Sequence, residues 1–371
     1  MGTGCTLNAI APAQVLRGAQ AWGQAQGAIA GLCSRPLVLG RSRATAPLRA
    51  RLLDALSRQE LLPLAVELQF DCCEDDLEPL GPRARQHDCD GVIAIGGGKV
   101  LDAGKLLAHR LGLPCITVPT SAATCAGWTA LANLYTPQGA FRGDVALERC
   151  PELLIFDHDL VAQAPDRTLA SGIADAMAKW YEASVSSGAS SDGLVQQAVQ
   201  QARLLRDLLL LEGQGALASP GSESWARVAE ASALTAGLIG GLGGARCRTV
   251  AAHAVHNGLT QLAQCHGVLH GEKVGFGILV QLRLEELVGG NRLAAQARRQ
   301  LLPFFRSLSI PVDLGDLGLA EAPLSDLKAV CAFACRPGSD LHNLPFAVSG
   351  DDLLTALVST TAMPVASPRQ S

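Results

Sequence analysis

The chain carries no excess of basic charge. Thirty Lys and Arg face 34 Asp and Glu, for a net charge of −4, so no basic field is present to attract nucleic acid. Nor do the twelve cysteines form a Cys-x-x-Cys pair. They are scattered, with Cys72 and Cys73 adjacent and Cys331 and Cys335 one helical turn apart. In a chain of this length such spacing excludes a disulfide framework and reads as reduced thiols of the cytoplasm. A basic segment near the start is missing as well. The first charged residue is Arg17, and no export signal is expected. The longest uncharged run, 111–141, is no membrane span, because Pro114, Pro119, Gly127, Asn133 and Pro137 interrupt it. Internal repeats and low-complexity tracts are absent. What remains is 48% hydrophobic, the composition of a well-buried enzyme.

At 371 residues the chain exceeds one typical core, and two domains are expected, 1–162 and 163–371. The first alternates short apolar runs with helical patterns. Strands are expected at Pro36–Gly40, Leu64–Phe70, Gly91–Ile95, Pro114–Val118 and Leu153–Asp157, and helices at Pro47–Glu60 and Leu101–Leu111. Such alternation predicts a parallel sheet covered by helices on both faces. Beyond Pro165 the pattern turns helical: Arg167–Ser187, Gly193–Leu211, Ser224–Leu238, Thr249–Gln264, Gly271–Leu287, Asn291–Leu308 and Asp351–Thr361. Pro364–Ser371 reads as a frayed tail.

Four of the eight histidines, His253, His256, His266 and His270, crowd into one short stretch. His253 and His256 are i,i+3 and share a helix face. Imidazole is the commonest metal ligand and the commonest acid–base group near neutrality. His266 reads equally well as an ordinary surface or core imidazole. Upstream, Gly96-Gly97-Gly98-Lys99 lies between a buried strand and a helix. Glycines there let backbone amides approach a pyrophosphate, or simply make a tight turn. Asp102 follows as a first-turn dipole partner or a ribose ligand. Pro119-Thr120-Ser121-Ala122-Ala123-Thr124-Cys125 puts hydroxyls at the carboxyl end of the next strand, where α/β sheets hold ligands. Asp175 sits in an otherwise apolar turn, Gly172-Ile173-Ala174-Asp175-Ala176, where a charge must be paired or metal-bound.

Together these motifs resemble, in order and spacing, the glycerol dehydrogenase branch of the metal-dependent, iron-containing alcohol dehydrogenases. Gly96-Gly97-Gly98-Lys99-x-x-Asp102, Pro119-Thr120, Gly172–Ala176, Ala252–Gly258 and His270-Gly271-Glu272-Lys273-Val274 carry the likeness across about 35–350. It implies a Rossmann-like α/β N-terminal domain and an all-α C-terminal domain, the architecture shared with dehydroquinate synthase. It also implies that Asp175, His253 and His270 hold one divalent metal, with His256 beside it facing the substrate as a proton carrier. Other branches place a further His four residues after the Asp. Here that residue is Lys179, which points to the three-ligand branch and to zinc rather than iron. NAD or NADP would lie along Arg41, Gly96, Gly97, Gly98, Lys99 and Asp102, with its ring near Thr120, Ser121, Thr124, Thr129, Leu131 and Tyr135. The family also implies a homo-oligomer.

Two departures redirect the substrate and cofactor. Glycerol dehydrogenases carry an Asp near the polyol where this chain has Cys125. They carry an Asp after the glycine of the first strand, where this chain has Gly40-Arg41-Ser42-Arg43. A guanidinium grips a 2′-phosphate that a carboxylate would repel, which favours NADP; the alternative is a solvated loop cation. The Thr124–Thr129 loop, the Gly240–Gly243 turn and Arg336-Pro337 with His342 and Pro345 look more similar to the bacterial hydroxycarboxylate dehydrogenases. Arg248, at the entrance to the histidine helix, is then the candidate for a substrate carboxylate. The expectation is an enzyme that interconverts a small alcohol and a carbonyl, foremost a 2-hydroxy acid and its 2-oxo acid, with no membrane or nucleic-acid partner. The alternatives are a glycerol dehydrogenase and a dehydroquinate synthase-like lyase.

Overall fold

The structure is a computed structural model that describes residues 7–362; the expected tail at Pro364–Ser371 lies outside the described residues. The strands are β1 Gln14–Gly18, β2 Pro36–Gly40, β3 Leu64–Glu67, β4 Gly91–Gly96, β5 Cys115–Pro119, β6 Leu131–Tyr135, β7 Phe141–Ala146 and β8 Leu153–Asp157. Six form one parallel sheet in the order β1-β8-β5-β4-β2-β3. Strands β6 and β7 form a separate antiparallel hairpin. The residues of β2, β4, β5 and β8 are buried throughout, because helices cover both faces. Alternate side chains divide between those faces. Val38, Ile93, Ile116 and Ile155 pack with Trp22, Ile29 and Leu52 on one. Leu37, Leu39 and Val92 pack with Leu106 and Leu107 of the Gly98–Leu111 helix on the other. That helix sits tightly on the sheet at Gly104, where a Cβ would come 2.4 Å from the Ala94 Cβ.

From Asp166 onward the elements are helical, including Asp166–Ser187, Gly193–Ala218, Ala251–Leu259, His270–Leu287 and Arg292–Ser307. Ile173, Met177, Leu209, Val274, Ile278 and Phe305 make the core among them. Several expected elements differ. The 224–238 helix is broken by a π turn at Ala231–Thr235 and runs on through Ala236–Gly243. The expected Gly240–Gly243 turn is therefore the end of a helix, stopped by Gly244 at φ +66°, a left-handed value that favours glycine. The histidine helix is shorter than 249–264, since Ala263–Cys265 is a separate 3₁₀ turn. The Leu324–Ala334 helix was not foreseen.

The sheet fixes where a site can open. From β2 the chain builds β3 outward, then returns to place β4 on the opposite side of β2. The loops after β2 and β4 therefore diverge at their carboxyl ends and leave a crevice.

Candidate active site

A cleft of about 1150 Å³ runs from that crevice to the helical part, lined at one end by Gly96–Lys99 and at the other by Asp175, His253 and His270. Gly97 caps the Gly98–Leu111 helix, and a Cβ on it would meet nothing within 4 Å. The N–H groups of Gly98 and Lys99 meet no acceptor among the described residues. Free amides at a helix N-terminus beside open space suit a phosphate. Thr124 closes over the loop, its Oγ1 only 2.8 Å from where a Gly98 Cβ would stand.

The wall beyond is held by buried polar contacts. Thr120 N–H bonds Gly96 O at 3.0 Å, and Thr117 Oγ1 donates to Gly127 O at 2.8 Å. Lys105 Nζ, 2% exposed as a side chain, bonds Thr129 O at 2.9 Å and the Leu131 carbonyl, and pairs with Asp102 at 3.0 Å. Asp102 Oδ2 also accepts the Asn133 N–H. Burial raises the Asp102 carboxyl pKa while Lys105 opposes the rise. Asp102 thus ties the hairpin to the helix. It is the fifth helical residue rather than a first-turn one, and its carboxylate is committed to Lys105 and Asn133. At the outer end, buried Asp71 binds both Arg41 and Lys99, and the Lys99 ammonium lies 4.8 Å from the Tyr135 ring centre.

At the inner end three helices and the loop after β5 converge by close backbone approach. A Cβ on Gly271 would fall 1.8 Å from Ser171 O, one on Gly172 1.9 Å from Ala122 O, and one on Gly277 2.3 Å from Ala252 O. These crossings bring Asp175, His253 and His270 together, one donor atom from each lying within 4.8 Å of the others. His270 Nε2 and His253 Nε2 stand 3.2 and 3.5 Å from Asp175 Oδ1. Fully buried Glu182, two turns beyond Asp175, accepts from His253 Nδ1 at 2.6 Å and from the Val250 and His253 amides at 2.7 and 3.0 Å. His270 Nδ1 meets His256 Nε2 at 2.9 Å, and His256 Nδ1 meets Asn257 Oδ1 at 2.9 Å. With Asn257 Oδ1 accepting, His256 Nδ1 donates to it and His256 Nε2 accepts from His270 Nδ1, which leaves His270 Nε2 facing Asp175, where it bonds the carboxylate or, in neutral form, can ligate a metal. Burial works against the Asp175 charge, but His270, His253 and Lys179 overcome it and hold the carboxyl well below the ordinary range. Burial also opposes charge on His253, yet Glu182 carries its pKa up to about 9.

One carboxylate and two imidazole Nε2 atoms, each ring oriented through its Nδ1, form a donor set that fits a divalent metal. Lys179 and Arg248 line the same end of the cleft, as does Cys125. Arg248 lies just ahead of the 251–259 helix, as its sequence position required. Exposed His266 bonds Thr260 O and stands apart. The sequence reading missed Glu182, Asp71 and Lys105. For Glu182 a signal existed: seven residues from Asp175, it shares that helix face.

The family model for iron-containing alcohol dehydrogenase matches residues 12–158. An uncharacterised oxidoreductase of Synechocystis is 57% identical over 95% of this chain and 91% of its own length. Hydroxycarboxylate dehydrogenase A of Escherichia coli is 34% identical over 87% of this chain and 88% of its own. The crystal structure of a probable glycerol dehydrogenase from Sinorhizobium meliloti aligns with TM-score 0.83 and 29% identity, over 96% of this chain and 98% of that one. With the crevice and the Asp175–His253–His270 cluster in place, these likenesses make the chain an oxidoreductase of the iron-containing alcohol dehydrogenase family, in its glycerol dehydrogenase-like branch.

Proposed function

We propose that the protein is a metal-dependent, NAD(P)(H)-linked dehydrogenase that interconverts a small 2-hydroxy acid and its 2-oxo acid. The observation that carries this is one cleft joining a phosphate-accepting helix terminus to a three-donor metal cluster flanked by two cations, Lys179 and Arg248. The likeness to a hydroxycarboxylate dehydrogenase supports the same substrate class. We further take residues 1–162 as the cofactor domain and 163–371 as the metal and substrate domain, and the protein as a cytoplasmic homo-oligomer. Among the described residues no helix is long and apolar enough to cross a membrane.

Asp175, His253 and His270 would hold the metal, which we assign as zinc. When bound it supplies a Lewis acid beside the substrate oxygen. Gly97, Gly98 and Lys99 would seat the cofactor pyrophosphate, with Thr120, Ser121, Thr124, Thr129, Leu131 and Tyr135 toward its ring. When bound it supplies or accepts the hydride. Arg41, half exposed beside Arg43 at the outer end of the cleft, favours a 2′-phosphate and hence NADP. Cys125 and the Lys105-braced wall exclude water from the reacting centre. His256 has both ring nitrogens engaged, and we assign it the orientation of His270; it reaches the substrate only through that ring. Arg248 would bind the substrate carboxylate.

NADPH and NADH oxidation are followed with pyruvate and with dihydroxyacetone, before and after chelation. Faster NADPH oxidation with pyruvate, abolished by chelation and restored by Zn²⁺, is expected. Turnover of dihydroxyacetone alone would make the enzyme a polyol dehydrogenase. Turnover that chelation does not touch would remove the metal from the reading.

A further inference from the structure

Lys179 is an ammonium in an expensive place. Its residue is 4% exposed, and its one described hydrogen bond is a long one, to Arg248 O at 3.4 Å. An ammonium carries three donors, and a buried cation with donors unspent is costly unless something completes it. The other buried lysines show the contrast. Lys105 is wrapped by Asp102, Thr129 and Leu131, and Lys273 by two carbonyls. Those two brace the fold, whereas Lys179 lines the cleft beside the metal cluster.

The charge around it is also unbalanced. Arg248 lines the same wall, and its guanidinium meets no acceptor among the described residues. Facing these cations are Asp175, Asp340 and, behind His253, Glu182; Asp144 lies at the exposed rim. Asp175 and the Glu182–His253 pair are committed to a divalent ion. With that ion in place, Lys179, Arg248 and the metal exceed Asp175, Glu182 and half-buried Asp340 by one positive charge. A cavity in that state attracts one anion, and the wall that holds it carries donors without partners.

We infer that Lys179 is a specificity-determining residue: with Arg248 it forms the subsite for the carboxylate of a monoanionic 2-oxo or 2-hydroxy acid. This rests on the substrate class proposed above. The ammonium and the guanidinium hold the carboxylate by charge-assisted hydrogen bonds, leaving the adjacent oxygen toward Asp175, His253 and His270.

The test compares wild-type holoenzyme with K179M and K179R on pyruvate and on uncharged dihydroxyacetone, with metal content checked in each. K179M should raise KM for pyruvate by about 10- to 100-fold, the size of a lost charge-assisted hydrogen bond. The loss on pyruvate should exceed that on dihydroxyacetone by at least about tenfold, and K179R should recover part of the pyruvate preference. Equal losses on both substrates, or an unchanged pyruvate KM, overturn the role of Lys179 while the substrate class stands. Wild-type enzyme that reduces dihydroxyacetone and not pyruvate overturns the substrate class, and this subsite with it.

Discussion

At the scale of single residues the proposed metal cluster would depend on groups that do not belong to it. Glu182 accepts hydrogen bonds from His253 Nδ1 and from two backbone amides, an arrangement that orients Nε2 toward Asp175. Glu182→Gln should weaken metal affinity by about 10- to 100-fold, measured by competition with a chelator; unchanged affinity would leave Glu182 a purely structural acid. Lys273 shows a different consequence of burial. Taking its ammonium out of water lowers its pKa from 10.5 to about 8. Below about pH 8 both folded and unfolded chains carry the proton, and the folded state bears the full burial penalty. Between about 8 and 10.5 the folded chain sheds the proton first, so stability rises with pH. Chemical denaturation across that window should show a rise on the order of 3 kcal/mol attributable to Lys273, absent in Lys273→Met. The sequence showed Asp175, His253 and His270 because carboxylate and imidazoles stood in recognisable local patterns. Asp71 had no such pattern. Its value lies in joining Arg41 and Lys99, which only folding brings to it.

Among the elements, those buried on both faces were the legible ones. β2 and β8 read at their observed bounds because Pro36–Gly40 and Leu153–Asp157 are continuous apolar runs. β1 escaped notice: it is an edge strand, half exposed, with Gln14 and Arg17 in five residues. The β6–β7 hairpin escaped notice too: β6 lies within the uncharged stretch, and β7 begins at its end and carries Arg142 and Asp144. The last turn of the 236–243 helix reads as a turn at Gly240–Gly243 because glycines signal breaks, whereas here Gly241 permits close packing against Ile10, as Gly237 does against Trp128. The same use of glycine builds the site. Gly271→Ala would drive a methyl into the Ser171 carbonyl, a backbone group that cannot yield. It should cost about 1–3 kcal/mol or more and lower metal occupancy together with the melting temperature. Retained occupancy at wild-type stability would show that this crossing does not set the His270 position.

For the whole molecule, the proposed ligands come from three helices, at 166–187, 251–259 and 270–287, so a metal bound there would cross-link elements nearly a hundred residues apart in sequence. Binding to the folded state alone adds about 4 kcal/mol of apparent stability when free metal is a thousandfold above its dissociation constant. Chelation should therefore lower the melting temperature, with recovery on Zn²⁺ addition; a melt indifferent to chelation would contradict the three-helix site. The sequence alone determined the alternation of buried strands and helices, the later turn to helices, and the donor types of the cluster. These are properties of local pattern: periodicity, glycine before a helix, imidazoles one turn apart. Tertiary structure decided which groups became partners. It committed Asp102 to Lys105, turned His256 toward His270, set Glu182 behind His253, and left Lys179 and Arg248 facing open space. Partnership depends on distances and on exclusion of water across the fold, and neither is written in any short stretch of chain.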